Sequence, residues 1–253
     1  VLAVFYGKIV GSMNTVFFST EGDGIQCYFN SYYLAKYDTS LMYSRSMNYP
    51  YGEVSFYTLS QPLAFGLVKF ISSHVTDITG YTVGIVNFMM LVSILLAAVF
   101  LYLLMTGLNF PVFLSAIISI GITFLSPQLD RFGGHYTLAY LCALPMLMYL
   151  LLLLQKSHGK IIYSILSGIL LFILLTGHVY FMVFYAILIL FYWFSEVTSG
   201  RHNLWKTSLH IALQLIIPVA LFYLITYYYA DLTPDKPSKP DGLLVYKASP
   251  ESV

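Results

Sequence analysis

Acid is what this chain lacks over most of its length. Between Tyr81 and Ala230 the only acidic residues are Asp130 and Glu196, and the only basic ones are Arg131, Lys156, Lys160, Arg201 and Lys206. A water-soluble domain cannot leave so long a block so poor in charge, because its solvent-facing side must be polar. Lipid can serve as the solvent instead. Charged residues make up 9% of the 253 residues against 58% hydrophobic ones, and mean hydropathy is +0.78. Those figures place the chain among all-α polytopic membrane proteins. A net charge of +1 argues against a nucleic-acid partner, which demands a basic face.

Cysteine is almost missing too. Cys27 lies in a polar early segment and Cys142 in an apolar run, which predicts neither a disulfide between them nor a cysteine metal site. Val1–Phe5 is too short for the apolar region of a signal peptide and has no basic start before it. It is expected to be the outer end of a truncated first span. The opening on Val1 and the stop in the polar Ala248–Glu251 stretch are what a piece of a longer protein would show. Internal repeats and low-complexity tracts are absent from the sequence.

What is present sorts into spans. A helix needs about 20 apolar residues to cross roughly 30 Å of hydrocarbon. Tyr81–Thr106, Phe110–Leu125 and Tyr136–Leu154 qualify, with Pro111 in a first-turn position and Pro145 predicted to kink the third. Ile161–Phe194 as one helix would run on the order of 50 Å at about 1.5 Å per residue, too long for one crossing. A break at Thr176-Gly177-His178 is expected, giving two short spans. Leu209–Tyr229 completes about six. Residues 1–80 then form the end of the first span and a long extracytoplasmic loop, 81–230 a six-span bundle, and 231–253 an exposed, proline-containing segment expected to be extracytoplasmic and to lead to a missing C-terminal part.

Basic residues in short loops orient such a bundle. One side receives Lys156, Lys160, Arg201 and Lys206, the other only Arg131. The first side is expected to be cytoplasmic. The Glu21–Asp23 loop, the Asp130–His135 loop and the His178 turn then share the outer face. Within the outer loop, Asp23–Tyr37 is predicted helical, with Ile25, Tyr28, Phe29, Tyr32 and Tyr33 roughly on one face. Ser60-Gln61-Pro62 looks like a helix start, and Leu63, Leu67, Phe70 and Ile71 supply an apolar stripe. Both helices are too short and polar to span and are expected to lie in the membrane interface. Asn48-Tyr49-Pro50-Tyr51-Gly52 carries turn chemistry.

Three segments carry a family likeness: Glu21-Gly22-Asp23-Gly24-Ile25-Gln26, Met47-Asn48-Tyr49-Pro50-Tyr51-Gly52-Glu53, and Arg131-Phe132-Gly133-Gly134-His135. With them the chain resembles the GT-C superfamily of membrane glycosyltransferases, over what would be its N-terminal seven-span module, or the bacterial multi-pass relatives of that superfamily. The resemblance implies a polyprenyl-phosphate-linked sugar donor, an inverting transfer on the extracytoplasmic face of a bacterial inner membrane, and an acidic residue of the first outer loop as base or metal ligand. Its partners would be the lipid-linked donor, an acceptor that the sequence does not identify, and membrane lipids.

The chemistry is independently reasonable. Transfer with inversion needs a base for the acceptor's proton, and Asp23 sits between Gly22 and Gly24, which permit close approach of substrate. Glu21, two residues away, can share a divalent cation such as Mg²⁺ or Mn²⁺ with it. A leaving lipid phosphate needs positive charge or hydrogen-bond donors, for which Arg131, His135 and His178 are the outward candidates; arginine adds a fork that lysine lacks. Tyr49 and Tyr51 are candidate sugar contacts. Plainer readings exist for each: Asp23 as a helix cap, Arg131 as an anchor paired with Asp130, the histidines as satisfied interfacial residues, the tyrosines as members of an aromatic belt. A non-catalytic envelope scaffold, or a lipid or saccharide transporter, is the alternative function. A transporter normally carries ionisable residues at mid-membrane, which these spans lack.

Overall fold

The computed structural model describes residues 1–47, 52–200 and 204–229. Among them the regular structure is helical but for one pair of two-residue strands. In order, α1 covers Leu2–Gly11 and α2 Gly22–Lys36. Strands β1 (Tyr43–Ser44) and β2 (Glu53–Val54) pair antiparallel, and α3 covers Pro62–His74. The remaining helices are α4 (Thr82–Gly107), α5 (Val112–Phe124), α6 (Ala143–Lys156), α7 (Ile161–Leu175), α8 (Tyr180–Thr198), α9 (Leu204–Ile211) and α10 (Ile217–Tyr228). Tyr49, Tyr51, Arg201 and the 231–253 segment lie outside the described residues.

Four helical stretches are long and apolar enough to cross a membrane: Thr79–Gly107, Tyr136–Lys156, Tyr180–Thr198 and Leu204–Tyr228. A fifth is reached by joining α5 to the short helix Pro127–Gly133 across a 41° bend. The expected break after Thr176 is there, between α7 and α8, and it leaves α7 at 15 residues. Pro145 does not kink a helix. It sits in the first turn of α6, where its missing N–H deprives the backbone of nothing. The last span carries a feature the periodicity did not announce, a π-helical segment at Ala212–Ile216 followed by Pro218 near the start of α10. A proline ring presses on the carbonyl four residues back, here that of Gln214, and the widened π turn accommodates it.

Two contiguous cores hold these elements. One gathers α2, α3, the first half of α4 and the Phe132–Cys142 segment, with Cys27, Phe65, Met90 and Tyr136 at its centre. The other gathers α6, α7, α8 and α10 around Leu147, Leu171, Tyr185 and Trp193. On α2 the buried face is Gly24, Cys27, Tyr28, Ser31, Leu34 and Ala35, while Ile25 and Phe29 are exposed. On α3, Phe65, Gly66 and Val68 are buried and Leu63, Leu67 and Phe70 are exposed. The apolar stripes of both helices therefore mostly point outward, with Tyr28 the exception. In a lipid-facing protein, small and polar residues draw helices together while large apolar ones can face the hydrocarbon.

Candidate functional site

The link between α1 and α2 is fastened to α4 by asparagines. Asn87 Nδ2 donates to the carbonyls of Met13 (2.6 Å) and Val16 (2.7 Å), and its Oδ1 accepts from Tyr28 Oη at 2.5 Å. Asn14 bridges Gly80 O and Gly84 N. Tyr136 Oη then accepts the N–H of Ser19 at 3.0 Å. These bonds fix the chain just before Glu21, and Gly24 lets it close: a Cβ there would lie 2.6 Å from Ser19 Cβ and 3.1 Å from Tyr136 Oη. Gly22 takes φ +51, a left-handed conformation that glycine adopts without strain.

Asp23 lies inside the first turn of α2. The N-cap is Glu21, and it makes no side-chain cap bond. The carboxylate of Asp23 turns instead to His135, with Nδ1 3.3 Å from Oδ2 and both side chains roughly half exposed. Gly134 lies against this contact, where even a Cβ would sit at an ordinary van der Waals distance of 3.8 Å from Asp23 Cβ. The bland alternative of a simple helix cap is therefore not what the side chain does. Arg131 is exposed, and among the described residues it forms no ion pair with Asp130.

Two clefts meet at this point. One, of about 470 Å³, is walled by Glu21, Asp23, Asp130, Arg131 and His135. The other, of about 590 Å³, is lined by Arg131, His135 and His178, then by Leu138, Leu144, Phe181 and Phe184. Arg131 and His135 belong to both. The first cleft is acidic on one wall, and the second grades from cationic to apolar along α8. All five titratable candidates from the sequence thus gather at one end of the bundle. His178 accepts the N–H of Tyr180 on Nδ1 at 3.3 Å. Burial, and secondarily the neighbouring His135, lower its pKa below the ordinary imidazole value.

The His135–Asp23 contact was missed in the sequence, although both residues were singled out there. Cys27 is no part of the chemistry: burial pushes its thiol up to about 12, far from a thiolate at neutral pH. A divalent cation finds a poor set of ligands. Glu21, Asp23 and Asp130 border the same cleft, yet among the described residues no three His, Cys, Asp or Glu side chains converge closely enough to hold one. The residues do not fit a protein-held metal, and no chemical step is assigned to it.

A family model described as a domain of unknown function, DUF6311, matches residues 1–248. The chain belongs to the DUF6311 family. No curated protein and no solved structure matches it.

Proposed function

We propose that this DUF6311 protein is an integral-membrane glycosyltransferase of GT-C type, which moves a sugar with inversion from a polyprenyl-phosphate donor on the extracytoplasmic face of a bacterial inner membrane. One observation carries the reading: an acid-walled cleft and a cationic cleft share Arg131 and His135. A base and a leaving-group site must flank the reacting carbon from opposite sides, and two joined clefts of opposite character offer that layout. The Asp23–His135 pair supplies the base, with Asp23 open to an acceptor. Arg131 and His178 receive the lipid phosphate, charge-assisted bonds being strongest where water is depleted. Leu144, Phe181 and Phe184 continue the cationic cleft along helices α6 and α8, where the apolar part of an amphiphile would lie.

In this reading six spans follow the first. α7, at about 22 Å for its 15 residues, is held in place by neighbours and not by its own length. The exposed apolar faces of α2 and α3 rest in the membrane interface, and Tyr49 and Tyr51 contact sugar.

The test uses the full chain in vesicles supplied with a polyprenyl-phosphate-linked hexose. Wild type should transfer or release the hexose, and Asp23→Asn should bind the donor without turnover. Donor binding without any turnover by wild type would leave a lipid-binding scaffold. Movement of intact donor across the bilayer would mark a transporter. Impermeant thiol labelling should reach a cysteine at Arg131 from outside intact cells and not one at Lys156.

A further inference from the structure

The two histidines of the cationic cleft have different partners, and the partners favour different tautomers of the two rings. His135 presents Nδ1 to the Asp23 carboxylate at 3.3 Å. An ionised carboxylate accepts and cannot donate, so this ion-pair contact favours the hydrogen on Nδ1 and leaves the neutral ring's lone pair on Nε2. His178 presents Nδ1 to the backbone N–H of Tyr180. A backbone N–H only donates, so Nδ1 is the lone pair and Nε2 carries the hydrogen. One cleft therefore contains an imidazole poised to accept a proton and another poised to give a hydrogen bond, with Arg131 beside them.

We infer that His135 Nε2, not the Asp23 carboxylate, is the atom that takes the acceptor's proton, and that His178 Nε2–H is a neutral donor to the departing phosphate. The inference rests on the transfer reading above and names the atoms within it. Asp23 becomes a positioning residue that fixes the His135 tautomer and stabilises the imidazolium, the part a carboxylate plays beside a catalytic imidazole. As the acceptor oxygen bonds to the sugar's anomeric carbon, its proton passes to His135 Nε2. The bond from that carbon to the phosphate oxygen breaks, and its electron pair stays on the phosphate, where Arg131 and His178 meet the charge. The imidazolium then loses its proton to solvent, to which the half-exposed ring has access.

The groups that face His135 are Glu21 and Asp23 from the start of α2, Asp130 and Arg131 from its own segment, and His178 from the turn after α7. Histidine nitrogen NMR on the full chain in lipid nanodiscs tests the assignment without any substrate. The expected result is Nδ1–H on His135 and Nε2–H on His178, with the latter perturbed when inorganic phosphate is added. Asp23→Asn should scramble the His135 tautomer and leave that of His178 alone. The opposite tautomers overturn the inference.

Turnover of the polyprenyl-phosphate-linked hexose gives a second test. His135→Ala should lose at least about a hundredfold, regain part of it with added imidazole, and keep phosphate binding within a few-fold. No rescue by imidazole returns the proton to Asp23. If wild type transfers nothing, the transfer reading falls and this assignment falls with it, whereas transfer by wild type with the opposite tautomers overturns the assignment alone.

Discussion

Two ends of the same bundle hold histidine, carboxylate and hydroxyl groups, and they treat them oppositely. At the Asp23 end the groups are half exposed and border open clefts. At the far end of α8, about 27 Å away by helix rise, Glu196 and His210 are buried, at 2% and 5% exposure. There His210 Nδ1 lies 2.7 Å from Ser164 Oγ and its ring stacks on Trp193 at 4.8 Å. Trp193 Nε1 in turn donates to Gln214 Oε1 at 2.7 Å, and Gln155 reaches Glu196. Similar chemistry therefore serves different ends. Polar groups sealed between helices bind those helices to one another, since each has no better partner in lipid, whereas polar groups at an open cleft remain available to a ligand.

The contrast predicts a division between stability and turnover. Trp193→Ala should have the largest effect, about 3–5 kcal/mol of stability, because it empties a buried site and strands Gln214. Thermal unfolding in detergent checks this, and the activity of whatever remains folded should be near wild type. A comparable loss of specific activity would mean that the two ends are coupled. Gly168 marks the same seam, since a Cβ there would run into the Leu213 carbonyl.

Asp23→Asn should do the reverse. It should cost about a hundredfold or more in transfer while unfolding as wild type does, because Asp23 caps nothing and is half exposed. The measurement pairs a turnover assay with a melting curve. Wild-type turnover would make the Asp23–His135 contact a surface ion pair, of a kind worth about 0–1 kcal/mol.

Much of this division was legible before any coordinates. The low charge of the 81–230 block, the break after Thr176 and the helix start at Pro62 follow from span length and local stop signals, and these act through neighbouring residues. The convergence of Asp23, Arg131, His135 and His178 on one end follows from counting crossings. Three things escaped. Which face of α2 and α3 packs on the bundle could not be read from their apolar stripes, because the usual rule that apolar means inward loses its force when lipid is the solvent. The Asp23–His135 contact depends on Gly24 letting the start of α2 close on Ser19 and Tyr136, which no spacing reveals. The Glu196–Gln214 cluster went unnoticed because its polar residues are scattered over α6 to α10 and meet only after packing.

Within the site, Arg131→Ala should weaken binding of a lipid phosphate about tenfold, the scale of one charge-assisted hydrogen bond. His178→Ala should weaken it less, since a neutral imidazole offers a donor without a charge. Calorimetry or a tryptophan-independent binding assay in vesicles measures both. Equal losses would show that His178 is charged when it binds.

The smallest effect expected is the pH dependence that His178 imposes. Burial lowers its pKa, and the nearby His135 adds to the shift, so the folded protein holds this proton less readily than the unfolded chain. The sign follows from linkage: a group that binds more protons when unfolded makes stability rise with pH. Its contribution is complete above the ordinary value of about 6.5 and is lost as pH falls through the lowered folded value. An anion in the cleft favours the protonated ring, so it should bind more tightly over that same acid window. Sulfate is the suitable probe, because its own charge does not change there. Its affinity should rise a few-fold on going from pH 7.5 to below 6.5, and sulfate should offset part of the acid destabilisation. His178→Gln should flatten a portion of both trends, leaving whatever His135 contributes. A sulfate affinity that is unchanged across the window, or a slope untouched by His178→Gln, would remove His178 from the anion site and return it to the role of a turn residue between α7 and α8.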